Sequence, residues 1–263
     1  MAAKTTRKPL IAANWKMNFN TSEAVQFAKK FKGLISEVSN TDILICAPFT
    51  CLESLKSALS GSKVKLGAQN LFYEEQGTFT GEISARMISP YCTHVIVGHS
   101  ERRKLFNESN SDVNRKIKKA LEQKLTPILC IGESLEERKA GKTKQVLEKK
   151  LSECLKGISK DQAKNIVLTY EPIWAISKGK NDIAKSEAAS PKTAQEGHAF
   201  LRSLFAAHFG KESAENVLIL YGGSMKPANV KQLMAEEDID GGLVGGASLD
   251  PESLSKVVKF GVD

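Results

Sequence analysis

A closed barrel of eight parallel strands, a (β/α)8 barrel, is the fold class this sequence predicts. Three observations predict it: eight short apolar runs, a helical pattern between successive runs, and a chain length that suits eight such units. The runs are Leu10–Asn14, Ile43–Cys46, Val64–Gln69, His94–Val97, Pro127–Ile131, Ile166–Tyr170, Val217–Tyr221 and Gly242–Val244. Each has the length and the β-branched or apolar content of a buried strand. Between them, Ala24, Phe27, Ala28, Phe31, Leu34 and Ile35 recur at helical spacing, as do Val113, Ile117, Ala120 and Leu121. Leu135–Cys154, Thr193–His208 and Pro251–Phe260 read as helices for the same reason. Strict alternation makes the strands parallel, because each helix must carry the chain back to the starting edge of the sheet. Eight such units in 263 residues favour closure, with an open doubly wound sheet as the alternative that the same alternation permits. No linker-like stretch divides the chain, so residues 1–263 are expected to form a single domain.

Composition narrows the function classes. No apolar stretch approaches bilayer length, which argues against a membrane role. The basic start, Met1 to Lys8, runs directly into Pro9 and a strand, so it reads as a frayed terminus rather than a secretory signal. The five cysteines are odd in number and scattered, which fits reduced thiols in a cytoplasmic protein better than a disulfide framework. The net charge of +8 is spread along the chain with no aromatic-interleaved basic stripe, so it reads as a solvated surface and not as a nucleic-acid interface.

In a parallel barrel all strands open on one face at their C-terminal ends, and chemistry is expected there. Asn14 and Lys16 follow the first run, His99 the fourth and Glu171 the sixth. Gly222-Gly223-Ser224 and Gly245-Gly246 follow the seventh and eighth. Glycine lets backbone N–H groups approach an anion closely, so two such turns at neighbouring strand ends suit a phosphate. A single Gly-Gly pair is more often just a turn, a lone lysine is usually solvated, and a carboxylate such as Glu171 equally serves as a helix cap. The shared rim is what favours the functional reading. His99 ends a strand and begins a helix, whose N-terminal amides disfavour the imidazolium, so a neutral ring is expected. His94 reads as strand packing, while His198 and His208 read as helix residues without a catalytic part. No dinucleotide or nucleotide fingerprint and no metal-ligand spacing is present, so no cofactor and no metal is expected. The connection Asn70–Glu82 carries Phe72, Tyr73 and Phe79 and is expected to insert into a partner surface, the alternative being that it folds back on its own barrel.

Asn14-Trp-Lys16, Gly67-Ala-Gln-Asn70, Gly77-Thr-Phe-Thr-Gly-Glu82, Gly98-His-Ser-Glu-Arg-Arg103, Cys130-Ile-Gly-Glu133, Tyr170-Glu-Pro-Ile-Trp-Ala-Ile176, Tyr221-Gly-Gly-Ser224 and Val244-Gly-Gly-Ala-Ser-Leu249 together resemble the triosephosphate isomerase family, in order across nearly the whole chain. The resemblance implies a TIM barrel that interconverts dihydroxyacetone phosphate and D-glyceraldehyde 3-phosphate through an enediolate. It implies Glu171 as the base, neutral His99 as the group that polarises the carbonyl, and Lys16 with Asn14 as stabilisers of the enediolate. Lys16 also attracts the phosphate, which the amides near Ser177, Ser224, Gly245 and Gly246 hold. It further implies a Glu82–Arg103 pair, an inert Cys130 thiol beneath the Glu171 loop, and a homodimer in which Thr80 reaches the Asn14 region of its neighbour. Ser177 stands where the family carries a glycine, and Asn181 to Ser190 is longer than usual. Two alternatives stand beside this one: a Schiff-base aldolase with Lys16 as nucleophile, and a non-catalytic phosphate-binding or adhesive relative.

Overall fold

Side chains alternate across a strand, so a strand enclosed on both faces supplies two cores at once. A computed structural model describes residues 7–176 and 189–261. Its strands are β1 Leu10–Asn14, β2 Asp42–Ala47, β3 Val64–Ala68, β4 His94–Val97, β5 Thr126–Ile131, β6 Val167–Tyr170, β7 Ile219–Tyr221 and β8 Gly241–Val244. They pair in sequence order into a closed parallel barrel, sealed by Leu10 to Ala13 of β1 alongside Gly241 to Val244 of β8. Closure decides against the open sheet. Leu10, Ala12, Leu44, Cys46, Ile96, Ile128, Cys130, Val167, Leu220 and Leu243 fill the barrel, while Ile11, Ala13, Ile43 and Ile45 face outward to the helices.

The helices form where the sequence offers both an apolar stripe and a cap. Asn20 caps Thr21–Leu34 in a reciprocal box with Glu23, and that helix buries Ala24, Phe27, Ala28 and Phe31. Ser109 and Asp112 cap Asn110–Glu122 in the same way. The expected helix Leu135–Cys154 is instead two, Leu135–Lys139 and Thr143–Cys154. The break falls where Gly141 takes a positive φ of 68°, a conformation that ends a helix. The long C-terminal helices run Pro191–Phe209 and Pro251–Val258. Among the described residues no helix is long and apolar enough to cross a membrane.

At the strand-entry end of the barrel, Arg202 ion-pairs with both Asp238 and Asp240 and donates to the carbonyls of Ala214 and Val217. Arg7 joins the same Asp240 at 2.6 Å. His94 packs within β4, its proton affinity lowered to about 4 by burial. His198 is buried in its helix and His208 is exposed on it. The aromatic loop draws its rings together, Phe72 lying 4.2 Å from Tyr73 and 4.8 Å from Phe79 between centroids. The Arg115 guanidinium covers Tyr73 at 3.3 Å, yet Phe79 stays 41% exposed. The loop is therefore partly folded on its own barrel while keeping an apolar face outward.

Candidate active site

The C-terminal ends of β1, β4 and β6 each bend immediately after the strand, and those bends aim the polar groups. After β1, Lys16 adopts a left-handed backbone with φ 53°, a conformation that costs an L-residue roughly 1–2 kcal/mol. Its neighbours hold it there. Lys16 N–H donates to Asn14 Oδ1 at 3.1 Å, and Gln69 Nε2 donates to the carbonyls of Lys16 and Cys46 at 2.9 and 3.0 Å. The Lys16 ammonium is ion-paired with Glu101. After β4, Gly98 turns at φ 70° and His99 caps the helix Ser100–Leu105, its Nδ1 accepting the Glu101 backbone N–H at 3.3 Å.

After β6, Glu171 is only 2% exposed. Its carboxylate lies 2.9 Å from His99 Nε2 and accepts the Ser100 backbone N–H at 3.0 Å and the Ser100 hydroxyl at 2.8 Å. Burial pushes the Glu171 carboxyl up, but His99 and the Ser100 donors outweigh it and hold the group below the ordinary carboxylate range. Burial likewise pushes the His99 ring toward neutrality, while the Glu171 carboxylate pulls the other way and leaves its proton affinity raised. Nε2 faces the Glu171 carboxylate and so carries a proton, whereas Nδ1 faces both the Glu101 N–H at 3.3 Å and the Glu101 carboxylate at 3.6 Å. The carboxylates of Glu171 and Glu101 pull the ring toward its charged form, against the neutral ring expected from the helix N-terminus alone, and their placement is a feature the sequence did not reveal.

The end of β5 braces the Glu171 segment. Glu171 N–H donates to Ile131 O at 2.8 Å and Ile173 N–H to Glu133 O at 3.1 Å. The fully buried Glu133 carboxylate accepts from the Tyr170 hydroxyl at 3.1 Å and from Trp174 Nε1 at 2.9 Å, with Arg138 lying over the Trp174 ring. This anchors the first turn, Ile173–Ala175, of the segment leaving the base. Cys130 lies beneath in the barrel, where burial drives its thiol well above the usual range and leaves it inert.

A cavity of about 370 Å³ opens on this rim, lined by Asn14, Lys16, His99, Ser224, Gly245 and Gly246 among others. Six of the eight residues singled out in the sequence thus share one chamber, with Glu171 against its His99 wall. Ser177 lies outside the described residues. The Ser224 N–H is occupied, donating to Ala175 O at 3.0 Å. Gly246 opens a short turn to Leu249, and Ser248 ties that turn back to Gly245 O through both its N–H and its hydroxyl.

One expected pair does not form within the single chain. Glu82 is exposed in its loop, and Arg103 turns inward to donate to Gly98 O, Asn110 Oδ1 and Cys154 Sγ. The neighbouring Arg102 carries the ion pair, with Glu108 at 3.1 Å. Sequence reasoning also assigned no role to Ser100, Glu101 or Glu133. The first two had a signal in their position directly after His99 at a helix start; Glu133 had none, since its partners come from another strand end.

A sequence profile of the triosephosphate isomerase family matches residues 9–261. A triosephosphate isomerase of Endomicrobium trichonymphae is 51% identical over 97% of this chain and 99% of its own length. One of Geotalea uraniireducens is 47% identical over the same shares. Among solved structures, triosephosphate isomerase from Bartonella henselae superposes with a TM-score of 0.84 at 36% identity, covering 96% of this chain and 98% of that one. With its rim geometry, its closed barrel and these relatives in agreement, the chain belongs to the triosephosphate isomerase family.

Proposed function

We propose that this chain, as one catalytic domain over residues 1–263, interconverts dihydroxyacetone phosphate and D-glyceraldehyde 3-phosphate by proton transfer through an enediolate. The observation that carries the reading is the contact of the Glu171 carboxylate with His99 Nε2 beside the 370 Å³ chamber lined by Lys16, Ser224, Gly245 and Gly246. Glu171 leaves its Ser100 donors, takes the proton from the carbon next to the substrate carbonyl and returns it to the neighbouring carbon. His99 gives its Nε2 proton to the carbonyl oxygen as charge develops there and takes one back from the neighbouring hydroxyl oxygen, so that carbonyl and hydroxyl exchange places and the ring is restored. Lys16 and Asn14 stabilise that charge; one well-aimed donor is worth ~3 kcal/mol, so several act together. The amides near Ser224, Gly245 and Gly246, with Ser177, hold the phosphate. The Schiff-base alternative loses ground because the Lys16 ammonium is engaged by Glu101.

The test is a coupled assay in deuterated water. Interconversion with solvent deuterium on carbon supports the enediolate path, and absence of interconversion sinks the assignment. Such an isomerase serves glycolysis and gluconeogenesis, which suits a cytoplasmic protein with five free, buried thiols. The functional unit in this reading is a homodimer, joined through the Asn70–Glu82 loop. Its support is the half-exposed Phe79, together with Met17 and Met87 left open to solvent. Light scattering of Phe79→Asp is expected to show a shift from dimer toward monomer; an unchanged dimer would remove this loop from the interface.

A further inference from the structure

Lys150 belongs to the helix Thr143–Cys154, outside the chamber and outside every role assigned above. Lysine ammoniums normally extend to water. This one turns inward and donates a 2.7 Å hydrogen bond to the Gly132 carbonyl. Gly132 is the surface on which the Glu171 main chain rests: a methyl group there would stand 1.7 Å from the Glu171 carbonyl oxygen. The residues flanking Gly132 complete the grip, since Ile131 O and Glu133 O accept the N–H groups of Glu171 and Ile173. Lys150 thus holds the central carbonyl of the three-residue turn that seats Glu171.

The charges around it point the same way. Arg103 faces the ammonium from the helix Ser100–Leu105, Glu137 from Leu135–Lys139, Glu171 from beyond β6, and Cys154 from its own helix. Burial, with Arg103 beside it, lowers the proton affinity of Lys150, while Glu137 and Glu171 support its charge. On the other side, the Glu171 carboxylate meets His99, Ser100 and Cys130.

We propose that Lys150 is a positioning residue for Glu171: from behind the rim it pins the Gly132 turn that seats the base and holds an ammonium against the main chain on which Glu171 rests. This rests on Glu171 being the base of the isomerisation, and extends that reading to a side chain that touches no reacting atom. A positively charged neighbour favours the ionised carboxylate, so its removal leaves the base protonated, and inactive, up to a higher pH.

The test compares K150M, K150Q and K150R with the wild type, measuring kcat, KM and the pH profile of kcat/KM on the same triose phosphate, so that ionisation of the substrate cancels. K150M loses donor and charge; its kcat is expected to fall by about tenfold with KM nearly unchanged, and its acid limb to rise by roughly half a pH unit. K150Q keeps an N–H donor without the charge and is expected to move the limb while recovering most of kcat. K150R keeps the charge and is expected to leave the limb in place. Should K150M fail to fold, the K150Q limb decides. An unchanged acid limb in K150Q, with the wild type active, overturns the role of Lys150 alone. An inactive wild type, or a Glu171→Gln variant as active as the wild type, overturns the assignment of the base instead.

Discussion

Glu171→Gln is expected to lower kcat/KM for triose phosphates by about three decades or more, because a positioned base contributes roughly two to four decades and an amide accepts no proton. The substitution preserves shape. The glutamine amide oxygen can take the place of Oε2 and accept the Ser100 N–H now at 3.0 Å, while its NH2 group takes the place of Oε1 and donates to the Ser100 hydroxyl now at 2.8 Å, so the barrel is expected to remain folded by circular dichroism. Loss concentrated in kcat rather than KM identifies an interaction made in the transition state. Glu148→Gln, on an exposed face of the helix Thr143–Cys154, serves as control and is expected to keep full activity. Residual activity within tenfold of the wild type in Glu171→Gln moves the base elsewhere.

Gly132→Ala is expected to lower both stability and turnover without touching a catalytic group. Its new methyl would fall 1.7 Å from the Glu171 carbonyl oxygen and 3.2 Å from Glu171 Cα. Backbone lies on both sides of the clash, so no rotamer relieves it, and β5 or the end of β6 must move. Overpacking of this kind costs about 3 kcal/mol of stability, read as a lower denaturant midpoint. The accompanying shift of the base is expected to cost about a hundredfold in kcat. Gly33→Ala gives the contrast: an added methyl there meets nothing within 4 Å, inside an exposed turn of the helix Thr21–Leu34. That change is expected to stabilise by about 0.5–1 kcal/mol. Equal effects at the two positions would mean that the Gly132 contact is not the one that matters.

The strands were legible because a barrel strand is apolar on both faces, and the runs read from the sequence match the observed bounds within two residues. The rim residues were legible because topology alone sends every strand end to one side. What stayed hidden were contacts between elements remote in sequence. Lys116 reads as one more surface lysine in a charged helix, yet it is buried on Glu108 and Asn70. Glu133 reads as a loop carboxylate, yet it anchors Tyr170 and Trp174 from inside. Arg102 and Arg103 are adjacent and chemically alike, so pattern could not tell which turns to Glu108 and which to Gly98 and Asn110. Burial of a charge depends on packing geometry, and helical periodicity does not encode it.

The charged cluster of Arg7, Arg202, Asp238 and Asp240 lies at the strand-entry end of the barrel, opposite Glu171, where Asp240 also receives the first N–H of β7 at 2.9 Å. Whatever cohesion that cluster contributes is separated by the length of the strands from the groups that carry the reaction, so the two can vary independently.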